Sequence, residues 1–332
     1  MNTTLATSVI IPTRNRPQLL ADTVASLLRG DTLPAEIVVV DQSDHMVART
    51  EHERGCCIRY VPCADRGLSR ARNTGANLAR HEALVFVDDD MTADPQWLRA
   101  LVDALLAAGE DDAVTGRVLA GPQEVADGFV PALARRTVPA VFRGRSSRDV
   151  LAGGNMGIRR AALNRVGGFD VRLGAGSRFP SAEDNDLGFR LLEAGARVVF
   201  VPEALLYHRA WRSKRLYVPL RHAYGRGKGG FYAKHLKLRD GYMWHRMVRD
   251  LIARPGRAVR HAGHPREALG ELAYAAGVLR GAVAWLFGGR ARTEARSSLT
   301  QERRRPPVKT PQQPVGGHVP AQRRRHQAEA GR

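Results

Sequence analysis

Two segments, EIVVVD at residues 36–41 and ALVFVD at residues 83–88, carry unbroken β-branched and apolar runs, and each closes on an aspartate. Side chains alternate between the two faces of a strand, so a strand that is apolar at successive positions must be covered on both faces. That limits the chain to a sheet held between helix layers, and the intervening sequence supplies the helices. Residues 8–12 (SVIIP) read as a first strand, and residues 17–28 as a helix with Leu19, Leu20, Val24, Leu27 and Leu28 on one face. Residues 58–62 read as a further strand, and residues 68–80, 95–108 and 186–194 as helices. Strands that alternate with helices predict an α/β fold, a Rossmann-like and mostly parallel sheet flanked by helices. With 332 residues there is room for one such domain and an appendage.

Ligands of open α/β sheets collect beyond the carboxyl ends of the strands, and Asp41 and Asp88 stand at that rim. Asp88-Asp89-Asp90 offers carboxylates at alternate positions of a chain leaving the sheet, so Asp88 and Asp90 can face one hard cation while Asp89 points away. An acidic loop before the next helix would read the same way. Asp41 can accept a hydrogen bond from a pyrimidine N–H, or it can simply form a turn. Arg66, Arg70 and Arg72 surround a helix start after Gly67, an arrangement that favours a diphosphate; each taken singly could also be solvated surface. Glu183-Asp184-Asn185-Asp186 precedes the apolar pattern LGFRLLEAG, and a carboxylate there can act as a general base or cap the helix.

Taken in order, SVIIPTRNRPQLL, EIVVVDQSD, GLSRARNTGA, LVFVDDD, GGNMGIRRAAL, GGFD, AEDNDLGFRLLEAG and FVPEALLYH resemble the family 2 glycosyltransferases over about residues 6–225. The resemblance implies a GT-A fold and an inverting, metal-dependent transfer of sugar from a nucleotide diphosphate, with a UDP-sugar favoured. It implies that Asp41 contacts the base, and that Pro12, Arg14, Arg66, Arg72, Asp88, Asp89, Gly154 and Asn155 bind the donor. It further implies that Asp88, Asp90 and His208 hold Mn²⁺ or Mg²⁺, that Asp184 is the catalytic base, and that Glu183 and Asn185 face the acceptor. Two departures stand out. DQSD replaces the DNGS or DDGS of many relatives, and Arg209-Ala210-Trp211 lacks the preceding Gln of a QxxRW element, which favours one sugar per encounter over processive synthesis. A glycan or lipid-linked acceptor in cell-envelope or exopolysaccharide synthesis is the expected context.

The formal net charge of +19 would suit a nucleic-acid binder if it were spread over the chain. It is not: residues 1–210 hold 25 basic and 26 acidic side chains, residues 211–289 hold 16 against 4, and residues 290–332 hold 11 against 3. No nucleic-acid module accompanies the charge, so no specific nucleic-acid partner is expected. A sugar-nucleotide nucleotidyltransferase is the enzymatic rival, but it calls for a Gly-rich phosphate loop where this chain reads PTRNRPQ. The expected organisation is a catalytic domain over residues 1–225, a helical basic extension over 226–290 and a disordered basic tail over 291–332. Residues 269–287 approach the length of a membrane span, but Glu271 and Arg280 interrupt them, so spanning is not expected; the pattern suits either an in-plane helix on an anionic membrane surface, with Trp285 and Phe287 at the headgroups and Arg257, Arg260 and Arg266 nearby, or a helix packed on the catalytic domain or a second subunit. With no leader-like segment and Cys56, Cys57 and Cys63 read as reduced thiols, a cytoplasmic location follows, peripheral to the inner face of the membrane.

Overall fold

The computed structural model describes residues 5–236 and 240–287, so the tail expected over 291–332 lies outside the described residues. The chain opens with β1 (Thr7–Thr13), α1 (Pro17–Leu28), β2 (Glu36–Asp41), β3 (Arg49–Glu53), β4 (Cys56–Pro62), α2 (Leu68–Leu78), β5 (Ala83–Val87), β6 (Met91–Ala93) and α3 (Trp97–Ala107). There follow β7 (Ala113–Ala120), β8 (Gly128–Phe129), β9 (Ala140–Phe142), β10 (Asn155–Arg159), α4 (Arg160–Arg165), α5 (Glu183–Glu193), β11 (Val198–His208) and β12 (Arg212–Ser213). Three helices close the described chain: α6 (Tyr217–His235), α7 (Tyr242–Arg260) and α8 (Pro265–Phe287).

The main sheet runs β3-β4-β2-β1-β5-β10-β7-β11-β6, with β9 also on β11. Strands β4, β2, β1 and β5 are mutually parallel, and β7 and β11 are parallel to each other. Between these groups β10 is antiparallel to both its neighbours, β5 and β7. The apolar runs meet the two-sided demand that their sequence sets. Val9, Ile11, Ile37, Val39, Val85 and Val87 enter a core with α1 and α3. The alternate residues Ile10, Val38, Val40, Leu84 and Phe86 enter a second core with α2, α4 and α5. At about 25 cal/mol per Å² of apolar surface removed from water, this double burial is the main driving force for the central strands.

A third core ties α5 to α6, α7 and α8 through Phe189, Phe231, Tyr232, Met247, Tyr274 and Val278. Residues 225 and 226, where the sequence suggests a boundary between catalytic and helical parts, fall inside α6. Helix α6 lies on α8 almost backbone to backbone. A Cβ at Gly225 would stand 2.1 Å from the Tyr274 carbonyl oxygen and one at Gly229 2.0 Å from that of Val278; across the contact, one at Gly281 would meet the Arg226 carbonyl oxygen at 2.1 Å. Glycine is therefore required on both sides of this crossing, and the helix cost of about 1 kcal/mol each is offset by the close packing. Among the described residues no helix is long and apolar enough to cross a membrane. Glu271 does not break a surface stripe but is buried against Arg221 and Arg254. Trp285 packs on Phe179, with Arg172 4.1 Å from its ring centroid, while Phe287 is exposed.

Candidate active site

A cleft of about 1120 Å³ opens along the strand ends, lined by Pro12, Arg14, Asp88, Asp89, Asp90, Gly154, Glu183, Asp184, Asn185 and His208 among others. The sheet register delivers its two best metal-ligand candidates. Strand β6 begins directly after the aspartates, and Met91 pairs with His208 at the end of antiparallel β11. His208 Nε2 thereby comes to 3.3 Å from Asp90 Oδ1. His208 Nδ1 lies 3.1 Å from the Pro131 carbonyl oxygen, which can only accept, so Nδ1 carries a proton and Nε2 is the nitrogen turned to the carboxylate.

The three aspartates have different surroundings. Asp89 is buried, accepts from Thr13 Oγ1 at 2.7 Å and from Arg16 Nη1 at 3.1 Å, and is pushed up to about 6 by burial. Burial acts on Asp90 in the same sense, but the hydrogen bond and charge of His208, together with Arg16, outweigh it and hold the group below its ordinary value. Asp88 accepts from Arg72 Nη2 at 2.7 Å. Gly154 makes room for it, since a Cβ there would stand 2.3 Å from Asp88 Oδ2.

Helix α5 begins after Ala182, which sits at a φ of 71° and donates no side-chain cap, so neither Asp184 nor Asp186 serves as the N-cap. Asp186 is instead buried against Arg190, Lys234 and His235. Asp184 Oδ1 accepts from Asn185 N at 2.7 Å and Oδ2 from Gly153 N at 3.4 Å, and the residue lines the cleft. Burial first, then the charge of Asp149, raises its carboxyl above the ordinary range. Glu183 is raised as well, by burial and by Asp184, while Arg72 Nη1 at 3.1 Å opposes the shift.

Several residues differ from the sequence expectation in where they stand. Arg72 lines the cleft but is almost wholly buried, and it bridges Asp88 to Glu183. Asn155 is also fully buried and outside the cleft lining, its amide donating to the Arg117 and Ala204 carbonyls and accepting from Trp97 Nε1. It pins strands together. Asp41 accepts from Ser43 N and does not line the cleft, where the neighbouring Gln42 stands instead. Arg66 is exposed and pairs with Asp44 at 2.9 Å, also outside the lining. The cleft adds residues that sequence reasoning did not single out: Gln42, Asp149, Arg212 and Lys228. Lys228 donates to Asp149 and, at 2.9 Å, to Asn185 Oδ1, tying α6 to the start of α5. Among the described residues no three His, Cys, Asp or Glu side chains gather as a complete ligand set. The donor set of one carboxylate and one imidazole nevertheless suits a divalent cation that takes its remaining ligands from substrate oxygens and water.

Comparison with known proteins places the chain in a family. Residues 8–167 match the description Glycosyl transferase family 2. The chain is 30% identical over 217 residues to the glucosyl-dolichyl phosphate glucuronosyltransferase of Haloferax volcanii, covering 61% of this chain and 68% of that protein. It is 27% identical over 245 residues to a Pasteurella multocida hyaluronan synthase (61% and 24% covered), and 28% identical over 245 residues to a Mycobacterium tuberculosis pre-mycofactocin glycosyltransferase (69% and 48% covered). It thus spans about a quarter and about half of those two relatives. In fold it is similar to a mannosyltransferase from Pyrobaculum calidifontis solved with GDP-Man and Mn²⁺, with a TM-score of 0.53 at 19% identity, covering 87% of this chain and 89% of that one. With the motifs in family order on a GT-A fold, the chain belongs to glycosyl transferase family 2.

Proposed function

We propose that the protein transfers one sugar per encounter from a nucleotide-diphosphate donor to an acceptor hydroxyl, with inversion at the anomeric carbon. The observation that carries this reading is that Asp90, His208 and the raised carboxyl of Asp184 share one cleft. Asp184, open to the cleft and fixed by two backbone N–H groups, takes the proton of the attacking hydroxyl. Arg72 holds Asp88 and Glu183 in place from beneath, so the carboxylates cannot rotate away from the substrate. Arg14 and Arg212, which line the cleft, supply positive charge to the donor phosphates. Asp90 and His208, with Asp88 beside them on the cleft lining, would hold Mn²⁺ or Mg²⁺, a role that suits the orientation of His208 Nε2. Such a cation would neutralise the charge growing on the departing diphosphate. Because the Haloferax relative is a glucuronosyltransferase and the Pyrobaculum structure holds GDP-Man, base and sugar are best read from a screen. Hydrolysis of UDP-, GDP- and dTDP-sugars with Mn²⁺ and Mg²⁺ should pick out one donor and require the cation. Consumption of a nucleoside triphosphate with no sugar nucleotide turned over would overturn the reading.

A further inference from the structure

The cleft does not end at Asp184. It continues onto α6, α7 and α8, where Arg221, Lys228, Arg254 and Arg257 line it against only two carboxylates, Asp149 and Glu271. Those two are already engaged: Asp149 accepts from Lys228 and Arg246, and Glu271 accepts from Arg221 at 2.5 Å and Arg254 at 2.9 Å. Asp250, behind the lining, takes the remaining end of Arg254. Even so, Nε of both Arg221 and Arg254 is buried without a hydrogen-bond partner, and Arg254 is only 7% exposed. Arg257 is exposed on the lining and makes no ion pair among the described residues. Both inner guanidinium groups lie over the Tyr274 ring, at 4.6 and 3.9 Å from its centroid, which fixes their planes.

Buried donors without acceptors are costly, and guanidinium forks of fixed orientation match planar or tetrahedral oxyanions. In the strand-end half of the cleft carboxylates outnumber the arginines, with Asp88, Asp89, Asp90, Glu183 and Asp184 against Arg14, Arg16, Arg72 and Arg212. The bay also begins one residue from the base, because Lys228 holds Asn185. A base must touch the acceptor, so space reached past Asp184 on the helical side is acceptor space. At about 1120 Å³ the whole cleft exceeds the roughly 300–1,000 Å³ of ordinary ligand pockets, leaving room for a second substrate. We propose that this bay binds an acceptor carrying a phosphate or carboxylate group close to the hydroxyl that Asp184 deprotonates. The acceptor role rests on the glycosyltransfer reading; the anion site itself does not.

The test is calorimetric binding to the full chain of three probes that share a ring: phenyl β-glucoside, its 6-phosphate, and phenyl β-glucuronide. The charged probes should bind at least about tenfold more tightly than the neutral one, and added salt should erode the preference. Arg257→Gln, at an exposed position, should lower affinity for the charged probes about three- to tenfold with little change for the neutral one, and Arg254→Gln should lower it further. Preference for phosphate alone or carboxylate alone supports the proposal and names the anion. Equal binding of all three probes would overturn it, as would a charge preference untouched by both substitutions, which would put the anion elsewhere, for instance among the donor-phosphate residues. Binding needs no turnover. A protein that shows this Arg-dependent preference yet hydrolyses no sugar nucleotide would sink the transferase reading and keep the anion site, whereas an active transferase without the preference would sink the bay alone.

Discussion

Asp184→Asn is expected to cut sugar transfer by about 10²-fold or more, the usual weight of a general base, while donor binding stays near that of the parent protein. The amide keeps the shape of the carboxylate, and its oxygen can keep the 2.7 Å hydrogen bond from Asn185 N at the cost of the longer one, 3.4 Å, from Gly153 N, so the change to the local fold is small. What disappears is the ability to take a proton. The same group sets the acid limb of the pH profile. A base works only when ionised, and burial with Asp149 nearby raises the Asp184 carboxyl, so transfer should fall as the pH drops through a value above the ordinary aspartate range. Single-turnover rates across pH, set beside calorimetric donor affinity, separate the two effects. Equal loss of donor affinity and transfer in the Asn variant would assign Asp184 to binding instead.

Asp90→Ala is expected to do the reverse and abolish the cation-dependent part of donor binding. Asp90 is held below its ordinary value, and it faces His208 Nε2 at 3.3 Å. Removing it takes away one of the proposed cation ligands and leaves Arg16 and His208 without that counter-charge. Calorimetric titration of nucleotide diphosphate with and without Mn²⁺ should show Mn²⁺ strengthening binding to the parent protein and making no difference to the variant. A variant that retains the full Mn²⁺ effect would move the cation away from Asp90.

The central strands were legible because their chemistry is local. EIVVVD and ALVFVD demand cover on both faces, and β2 and β5 receive it from the two cores. The nearness of His208 to Asp90 was not readable from spacing, since it depends on β11 pairing antiparallel with the three residues of β6. Arg72 shows how a composition argument misleads. Three arginines at a helix start suggest a phosphate cradle, yet only their separate burial reveals that Arg66 faces outward to Asp44 while Arg72, on the cleft lining, is engaged by Asp88 and Glu183. Asn155 sits in a motif beside the site, but its amide is consumed by strand carbonyls and Trp97. Helix α6 was legible only in its second half, as the start of the helical extension from residue 226. Pro219 and the glycines of GRGKGG look like helix breakers, and only the α8 backbone lying against Gly225 and Gly229 makes them an asset. The helical, basic extension expected over residues 226–290 contains Lys228, Arg254 and Arg257, but their place beside Asp184 depends on how α6, α7 and α8 pack against one another and the cleft.

The central claim, direct displacement of a nucleotide diphosphate by a hydroxyl that Asp184 deprotonates, is tested most directly by the anomeric configuration of the first product. Proton NMR recorded as the product forms, before mutarotation or hydrolysis intervenes, reads it from the coupling of the anomeric proton. The account predicts a configuration opposite to that of the donor, with no product from the Asp184→Asn protein on the same time scale. A product that retains the donor configuration would require a different mechanism and would contradict the account.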